Sequence, residues 1–157
     1  MDATFQFRTA TPEDLEQLSR IAFDSKAYWG YPEAWMQAWR PLLTIGPKDL
    51  KELQIELLES GGEPCGFFAL TRSQPMSELM HLWLEPAQIG RGAGRLLAER
   101  LCECAIALGA SSIELDADPH ATGFYEHLGA DHIGKTPAAM PGAPERYLPR
   151  MRLRLDA

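Results

Sequence analysis

The chain has 157 residues, 45 % of them hydrophobic and 24 % charged, with a formal net charge of −7. That length suits a single domain, 1–157, in which folding buries about 70 % of the extended chain's surface. An acidic chain without a Lys/Arg-dense stripe argues against a nucleic-acid partner; with no basic segment before an apolar core in MDATFQFRTA and no apolar run of spanning length, the expectation is a cytoplasmic protein without leader or membrane span.

TFQFRTAT alternates Phe5, Phe7 and Thr9 on one face and predicts a first strand. In TPEDLEQLSRIAF, Thr11 is placed as N-cap, Pro12 opens the helix, and Leu15, Leu18, Ile21 and Ala22 follow at helical spacing. YPEAWMQAWRPL starts a second helix near Pro32, with Trp35 and Trp39 four apart on one face. LQIELLES-GGEP-CGFFALT reads as a hairpin around a glycine pair, and ELMHLWLEP as a strand ended by Pro86. A helix runs from the glycine-rich QIGRGAGRLLAERL to about Leu108, where Gly109 stops it. SSIELDA is the next strand, HATGFYEHLGA a short helix closed by Gly129, and YLPRMRLRL a last alternating strand. The order βααββ, then βαβ, then αββ implies an α/β (α+β) protein with a mixed sheet and helices on both faces. Cys65, Cys102 and Cys104 have no metal spacing and read as free thiols; His120, His127 and His132 have no accompanying ligand cluster, so no metal is expected.

The glycines in QIGRGAGRLL need a reason. Glycine costs about 1 kcal/mol relative to alanine inside a helix, yet Gly90, Gly92 and Gly94 crowd the threshold of one. The first N–H groups of a helix are unpaired and attract anions, and absent Cβ atoms let phosphate oxygens approach them. Two nucleotide fingerprints are excluded. The dinucleotide pattern requires glycine three residues after Gly92, where Arg95 stands, and no Gly-Lys-Ser/Thr follows for a P-loop. A tight turn with close helix–sheet packing is the competing account.

LWLEPAQIGRGAGRLL followed by DADPHATGFYEHLGA resembles the acetyl-CoA-binding core of the GCN5-related N-acetyltransferase (GNAT) superfamily. That family reads Arg/Gln-x-x-Gly-x-Gly/Ala after its fourth strand, then a short helix with a Tyr just before x-x-Leu-Gly. Ile89 stands at the Arg/Gln position, with Gln88 one residue earlier, and Asp118 stands where the family has Asn, seven residues before the Tyr. The resemblance implies the GNAT fold and acetyl-CoA as co-substrate. It implies that amides of Ile89, Gly90, Arg91, Gly92, Ala93 and Gly94 hold the pyrophosphate, that Arg91 and Arg95 add charge-assisted contacts, and that Asp118 belongs to the cofactor site. The pantetheine arm would pair with backbone near Trp83 and Leu84, between strands that splay apart.

Acyl transfer to an amine requires a base, an oxyanion donor and an acid for the departing thiolate. Tyr125 is the acid that the resemblance implies; the alternative is an aromatic packed beside Phe124. Glu78 matches the catalytic Glu of histone-type members, the alternative being an exposed carboxylate at a strand start. His81 is a second candidate base, and strand alternation places it with Leu79 and Trp83, opposite Glu78, unless a bulge intervenes. The oxyanion donor is expected to be a backbone N–H near Leu82 to Leu84.

In this superfamily the acceptor cleft lies between the first two helices and the loop joining the last two strands, here YWGYPEAWMQAW and GKTPAAMPGAPERY. Tyr28, Trp29 and Tyr31 are candidate acceptor contacts, suited to an apolar or cationic group, whereas Trp35 and Trp39 read as packing. Arg146 could meet an acceptor carboxylate or form a loop salt bridge. The expected activity is acetyl-CoA-dependent N-acetylation of a primary amine on a small molecule or peptide. The competing reading is a non-catalytic acyl-CoA sensor or interaction module, and the resemblance also implies a homodimer.

Overall fold

The computed structural model describes residues 4–155, so the first three residues of the opening stretch lie outside the described residues. Strand β1 (Phe5–Thr9) leads into helix α1 (Leu15–Ala27) through a short turn in which the Thr11 amide donates to Asp14 Oδ2 at 2.8 Å. Arg8 grips the same buried carboxylate with two bonds of 2.8 Å, which fixes the angle at which the helix leaves the strand. Helices α2 (Glu33–Leu43) and α3 (Pro47–Glu52) follow, then the antiparallel strands β2 (Leu53–Ser60), β3 (Glu63–Thr71) and β4 (Met76–Leu84). Helix α4 (Ala93–Ala107), β5 (Ser112–Asp116), α5 (Thr122–His127), β6 (Asp131–Pro137) and β7 (Tyr147–Arg154) complete the chain.

The seven strands form one sheet in the order β1-β2-β3-β4-β5-β7-β6, in which β4 and β5 are the parallel pair and the other neighbours are antiparallel. Its two faces carry separate cores. Phe68, Leu97, Leu101, Ile113 and Met151 pack on the side of α4 and α5, and Leu18, Ile21, Met36, Leu57 and Phe67 on the side of α1 and α2. Strand β3 is buried on both faces from Pro64 to Leu70, which explains its unbroken run of apolar and small residues.

Three features depart from the sequence reading. Helix α3 was not predicted; with six residues it has too few apolar positions to show a period. Strand β6 takes up Gly134 to Pro137, which the sequence assigns to a loop, because these residues pair with β7 through Pro137↔Tyr147. Its side chains are almost all exposed, so no burial alternation marks it, and the loop before β7 shrinks to 138–146. The third is a bulge in β4: Leu79 pairs with Leu70 and His81 with Ala69, leaving Met80 as the extra residue. Leu79 therefore joins the α4-side core, while His81 lies near Phe67 of the opposite core. The expectation that His81 shares a face with Leu79 is corrected by that one inserted residue, which brings His81 onto the face of Glu78.

The bulge coincides with a parting of strands. Pairing between β4 and β5 ends at Glu78↔Glu114, although β4 continues to Leu84. From Leu79 onward, every second amide and carbonyl of β4 looks into the gap instead of onto a neighbouring strand.

Phe68 sits at the centre of the larger core with no exposed surface. Phe68→Ala is expected to destabilise the protein by about 3–5 kcal/mol, read as a lower urea midpoint at an unchanged slope.

Candidate active site

The gap between β4 and β5 opens into a cleft of about 460 Å³. Residues Leu79 to Leu84 of β4 form one wall, and Leu115, Asp116 and Asp118 at the end of β5 form the other. Gly90, Gly92, Gly94, Arg95 and Leu97 close one end; Phe124 and Tyr125 of α5, with Ala121 just before it, line the floor; Ser25 and Trp29 of the α1 region stand at the mouth with His120.

The glycines at the threshold of α4 divide into two kinds. Gly90 and Gly92 have φ of +81° and +85°, and a Cβ at either would meet nothing within 4 Å. Backbone conformation alone demands glycine there, since the left-handed region costs other residues about 1–2 kcal/mol. Gly94 has ordinary helical geometry, and its missing Cβ leaves room for the Phe124 ring, which would stand 3.3 Å away. Packing thus explains Gly94, but against helix α5 and not against the sheet as the competing account had it. Gly92 is the N-cap, so the amides of Ala93, Gly94 and Arg95 have no intrahelical partner. The Gly90 and Gly92 amides also make no hydrogen bond among the described residues, so the turn ends the cleft with an array of open donors. Ile89 and Arg95 line the cleft with these glycines, whereas Arg91 is exposed beyond it and Ala93 is fully buried behind it.

Tyr125 is 8 % exposed and lines the floor, and its hydroxyl makes no hydrogen bond among the described residues. Burial, reinforced by the negative charge of Asp118, raises its pKa, so the phenol keeps its proton. Asp118 is the hub of the opposite wall. Its Oδ2 accepts from Lys26 Nζ and from the Tyr31 hydroxyl at 2.8 Å, and its Oδ1 accepts from the His120 amide at 2.8 Å. Burial works against its charge, but Lys26, the His120 amide and Tyr31 together outweigh it and hold the carboxyl below the usual range. The sequence placed Asp118 in the cofactor site; it does line the cleft, with its carboxylate committed to these donors.

His81 and Trp83 both line the cleft from β4. Trp83 Nε1 donates to His81 Nδ1 at 2.9 Å, and burial lowers the His81 pKa, so the ring is neutral with its hydrogen on Nε2. It presents a donor, not a lone pair. Glu78 is not among the cleft residues. Arg150 of β7 holds both its oxygens at 2.6 Å, within a charged layer that also contains Glu114, Asp116 and Arg152.

Of the aromatic residues proposed for the acceptor, Trp29 lines the cleft, Tyr28 is exposed beside it, and Tyr31 reaches it through its contacts with Asp118 and His120. The cations over the Tyr31, Trp35 and Trp39 rings belong to the protein itself: Lys26 Nζ lies 4.3 Å from the Trp39 ring centre, and the Arg146 guanidinium 5.2 Å from it. Arg146 donates to the Ala138 carbonyl, and its other terminal nitrogen is buried without a hydrogen-bond partner among the described residues. It is not among the residues lining the cleft, and it fastens loop 138–146 to α2, helped by Trp35 Nε1 donating to the Pro141 carbonyl at 2.9 Å. The sequence reading considered His120 only as a metal ligand; its position two residues after Asp118 was the available signal. Among the described residues, no group of three or more His, Cys, Asp or Glu side chains could hold a metal ion, and no helix is long and apolar enough to cross a membrane.

Residues 14–130 match the model of the Acetyltransferase (GNAT) family. The chain belongs to that family. Solved GNAT structures share its fold. A GCN5-related N-acetyltransferase from Rhodopseudomonas palustris is 22 % identical, with a TM-score of 0.76 over 99 % of both chains. The ribosomal-protein-S18-alanine N-acetyltransferase from Escherichia coli is 16 % identical, with a TM-score of 0.74 over 98 % of this chain and 96 % of that one. The PaiA N-acetyltransferase from Thermoplasma acidophilum, solved in complex with coenzyme A, is 18 % identical, with a TM-score of 0.73 over 96 % of this chain and 99 % of that one. No curated protein matches the chain in sequence.

The lowered Asp118 pKa fixes the sign of one pH effect. A carboxylate whose folded pKa lies below its unfolded value adds stability that is fully present above about pH 4 and lost as acid protonates the folded group. Urea unfolding of wild type and Asp118→Asn should therefore differ most at neutral pH, and the difference should close as the pH falls below 4.

Proposed function

We propose that this GNAT protein is an acetyl-CoA-dependent N-acetyltransferase, acting on a primary amine of a small molecule or peptide by direct attack in a ternary complex. One observation carries the reading: a single cleft joins open amide donors at the threshold of α4 to an unpaired strand edge and then to a phenol that makes no hydrogen bond among the described residues. An acyl carrier with a diphosphate at one end, amides along its arm and a thioester at the tip is the complementary shape. The coenzyme A and acetyl-CoA complexes of two relatives support the choice of carrier.

The amides around Gly90, Gly92 and the first turn of α4 would hold the diphosphate, with the Arg95 charge beside them. The gap-facing backbone of β4, near Trp83 and Leu84, would receive the amides of the arm as an added strand. A β4 amide there would also stabilise the oxyanion as the amine adds to the thioester carbonyl. Collapse of the adduct breaks the C–S bond, and Tyr125 donates its proton to the leaving sulfur. The amine also needs help. With an ordinary pKa of ~10.4 it is neutral in only about one molecule in 2,500 at pH 7, a handicap of roughly 4.6 kcal/mol. Glu78 would have to leave Arg150 to take that proton, and His81 would have to give up the Trp83 bond.

Calorimetric titration with acetyl-CoA should register binding, and thiol release should follow on adding a suitable primary amine. Binding without turnover over alkyl, aryl and peptide amines would favour the sensor reading instead. Tyr125→Phe should lower kcat at least about tenfold while acetyl-CoA binding survives; an unchanged rate would remove Tyr125 from the mechanism.

A further inference from the structure

With Glu78 held by Arg150 and the His81 Nδ1 lone pair taken by Trp83, the proton that the amine must lose falls to the other ionisable groups around the cleft. Asp116 accepts from Thr136 and shares Arg150 with Glu78. Asp118 is surrounded by donors. Arg95 is a permanent cation, and Tyr125 is an acid. His120 remains. It lines the cleft, and its side chain is 40 % exposed.

Its surroundings select one tautomer. His120 Nδ1 lies 3.1 Å from Asp118 Oδ1 and 3.0 Å from the Tyr31 oxygen. The Tyr31 oxygen is nearer to Asp118 Oδ2, at 2.8 Å, than to the ring nitrogen, and a carboxylate, which only accepts, is the stronger acceptor, so the network assigns the Tyr31 hydrogen to Asp118. A lone pair on Nδ1 would therefore face two oxygens with no hydrogen between them, so the hydrogen sits on Nδ1. In a neutral ring that leaves Nε2 bare. The Trp29 indole stacks on the imidazole at 4.9 Å with an interplanar angle of 10°, which fixes the ring plane. The Asp118 carboxylate, held by Lys26 from α1, also stabilises the imidazolium once a proton is taken.

We propose that His120 is the general base of the transfer, positioned by Asp118 and Tyr31 and taking the amine proton on Nε2. This rests on the N-acetyltransferase reading above. The amine nitrogen forms the C–N bond to the thioester carbonyl and passes one proton to His120 Nε2. The C–S bond then breaks, with Tyr125 protonating the sulfur. His120 releases its proton to solvent, and the Tyr125 phenolate regains one. An amine that arrives as ammonium first gives its extra proton to solvent by the same route.

Two measurements on the full-length protein test the assignment. Nitrogen-15 spectra, with His120 assigned by comparison with His120→Gln and recorded on the alkaline side of its titration, should show the hydrogen on Nδ1, and Asp118→Asn should weaken that preference. A neutral ring with its hydrogen on Nε2 overturns the proposal whatever the activity. Thiol release with acetyl-CoA over an alkyl diamine, an arylethylamine and a short peptide with a free N-terminus supplies the second. For any amine that wild type acetylates, His120→Gln should lower kcat by about 10²-fold with acetyl-CoA affinity changed less than about twofold. Added imidazole should partly restore His120→Ala, which a merely structural role would not allow. Unchanged kcat in His120→Gln sinks the base assignment and leaves the enzyme reading standing. Acetyl-CoA binding with no amine acetylated by wild type sinks the enzyme reading, and the base with it.

Discussion

The structure depends on two neighbouring strands ceasing to be neighbours. A parallel pair inside a sheet normally continues while both strands last, because each unpaired buried amide or carbonyl costs the free energy of a lost hydrogen bond. Here pairing stops after Glu78↔Glu114. The β4 bulge at Met80 turns one strand away, and the other is drawn toward β7, where the Ala117 amide donates to the Pro149 carbonyl at 2.8 Å. The edge exposed in this way offers unpaired backbone groups inside the sheet, beside the cleft. Water can satisfy them until a strand-like molecule arrives.

Asp118 holds the far side of that opening. It ties α1, the segment before α2 and the entry to α5 together at one carboxylate. Lys26 and Asp118 are only 11 % and 13 % exposed, and charges so buried carry a large desolvation penalty that mutual attraction offsets only with good geometry. Such a pair adds little net stability, and its value lies in placing neighbouring groups. The groups placed here are the Tyr31 hydroxyl and the His120 ring, at the mouth of the cleft. In the GNAT pattern this position holds Asn, which both donates and accepts. Asp accepts only, so the substitution turns the hub toward cations and N–H groups.

The aromatic wall illustrates a common ambiguity. Tyr31, Trp35 and Trp39 have the composition of a site for a cationic ligand, yet Lys26 and Arg146 lie over their faces. The result is a clasp between loop 138–146 and α2 that shapes the entrance without contacting the cleft. Trp29, stacked on His120, is the aromatic surface left facing inward.

Much of the molecule was legible in the sequence because the signals were local. Alternating or helically spaced apolar residues placed every helix but α3 and every strand, β6 by its order alone and without its extent, and the glycines at 109 and 129 marked two helix ends where φ turns positive. The glycine turn before α4 and the Tyr of α5 pointed to the family and to the floor of the cleft, because both motifs are contiguous in the chain. What the sequence left open involves partners distant along the chain. Glu78 meets Arg150 across 72 residues, Lys26 meets Asp118 across 92, and Trp35 reaches Pro141 across 106. Which carboxylate is occupied, which face of β4 carries His81 and which aromatic ring is covered are decided by the strand order and by one inserted residue in β4. A single bulge reverses the faces of a strand without changing its composition, so only the tertiary structure could decide them.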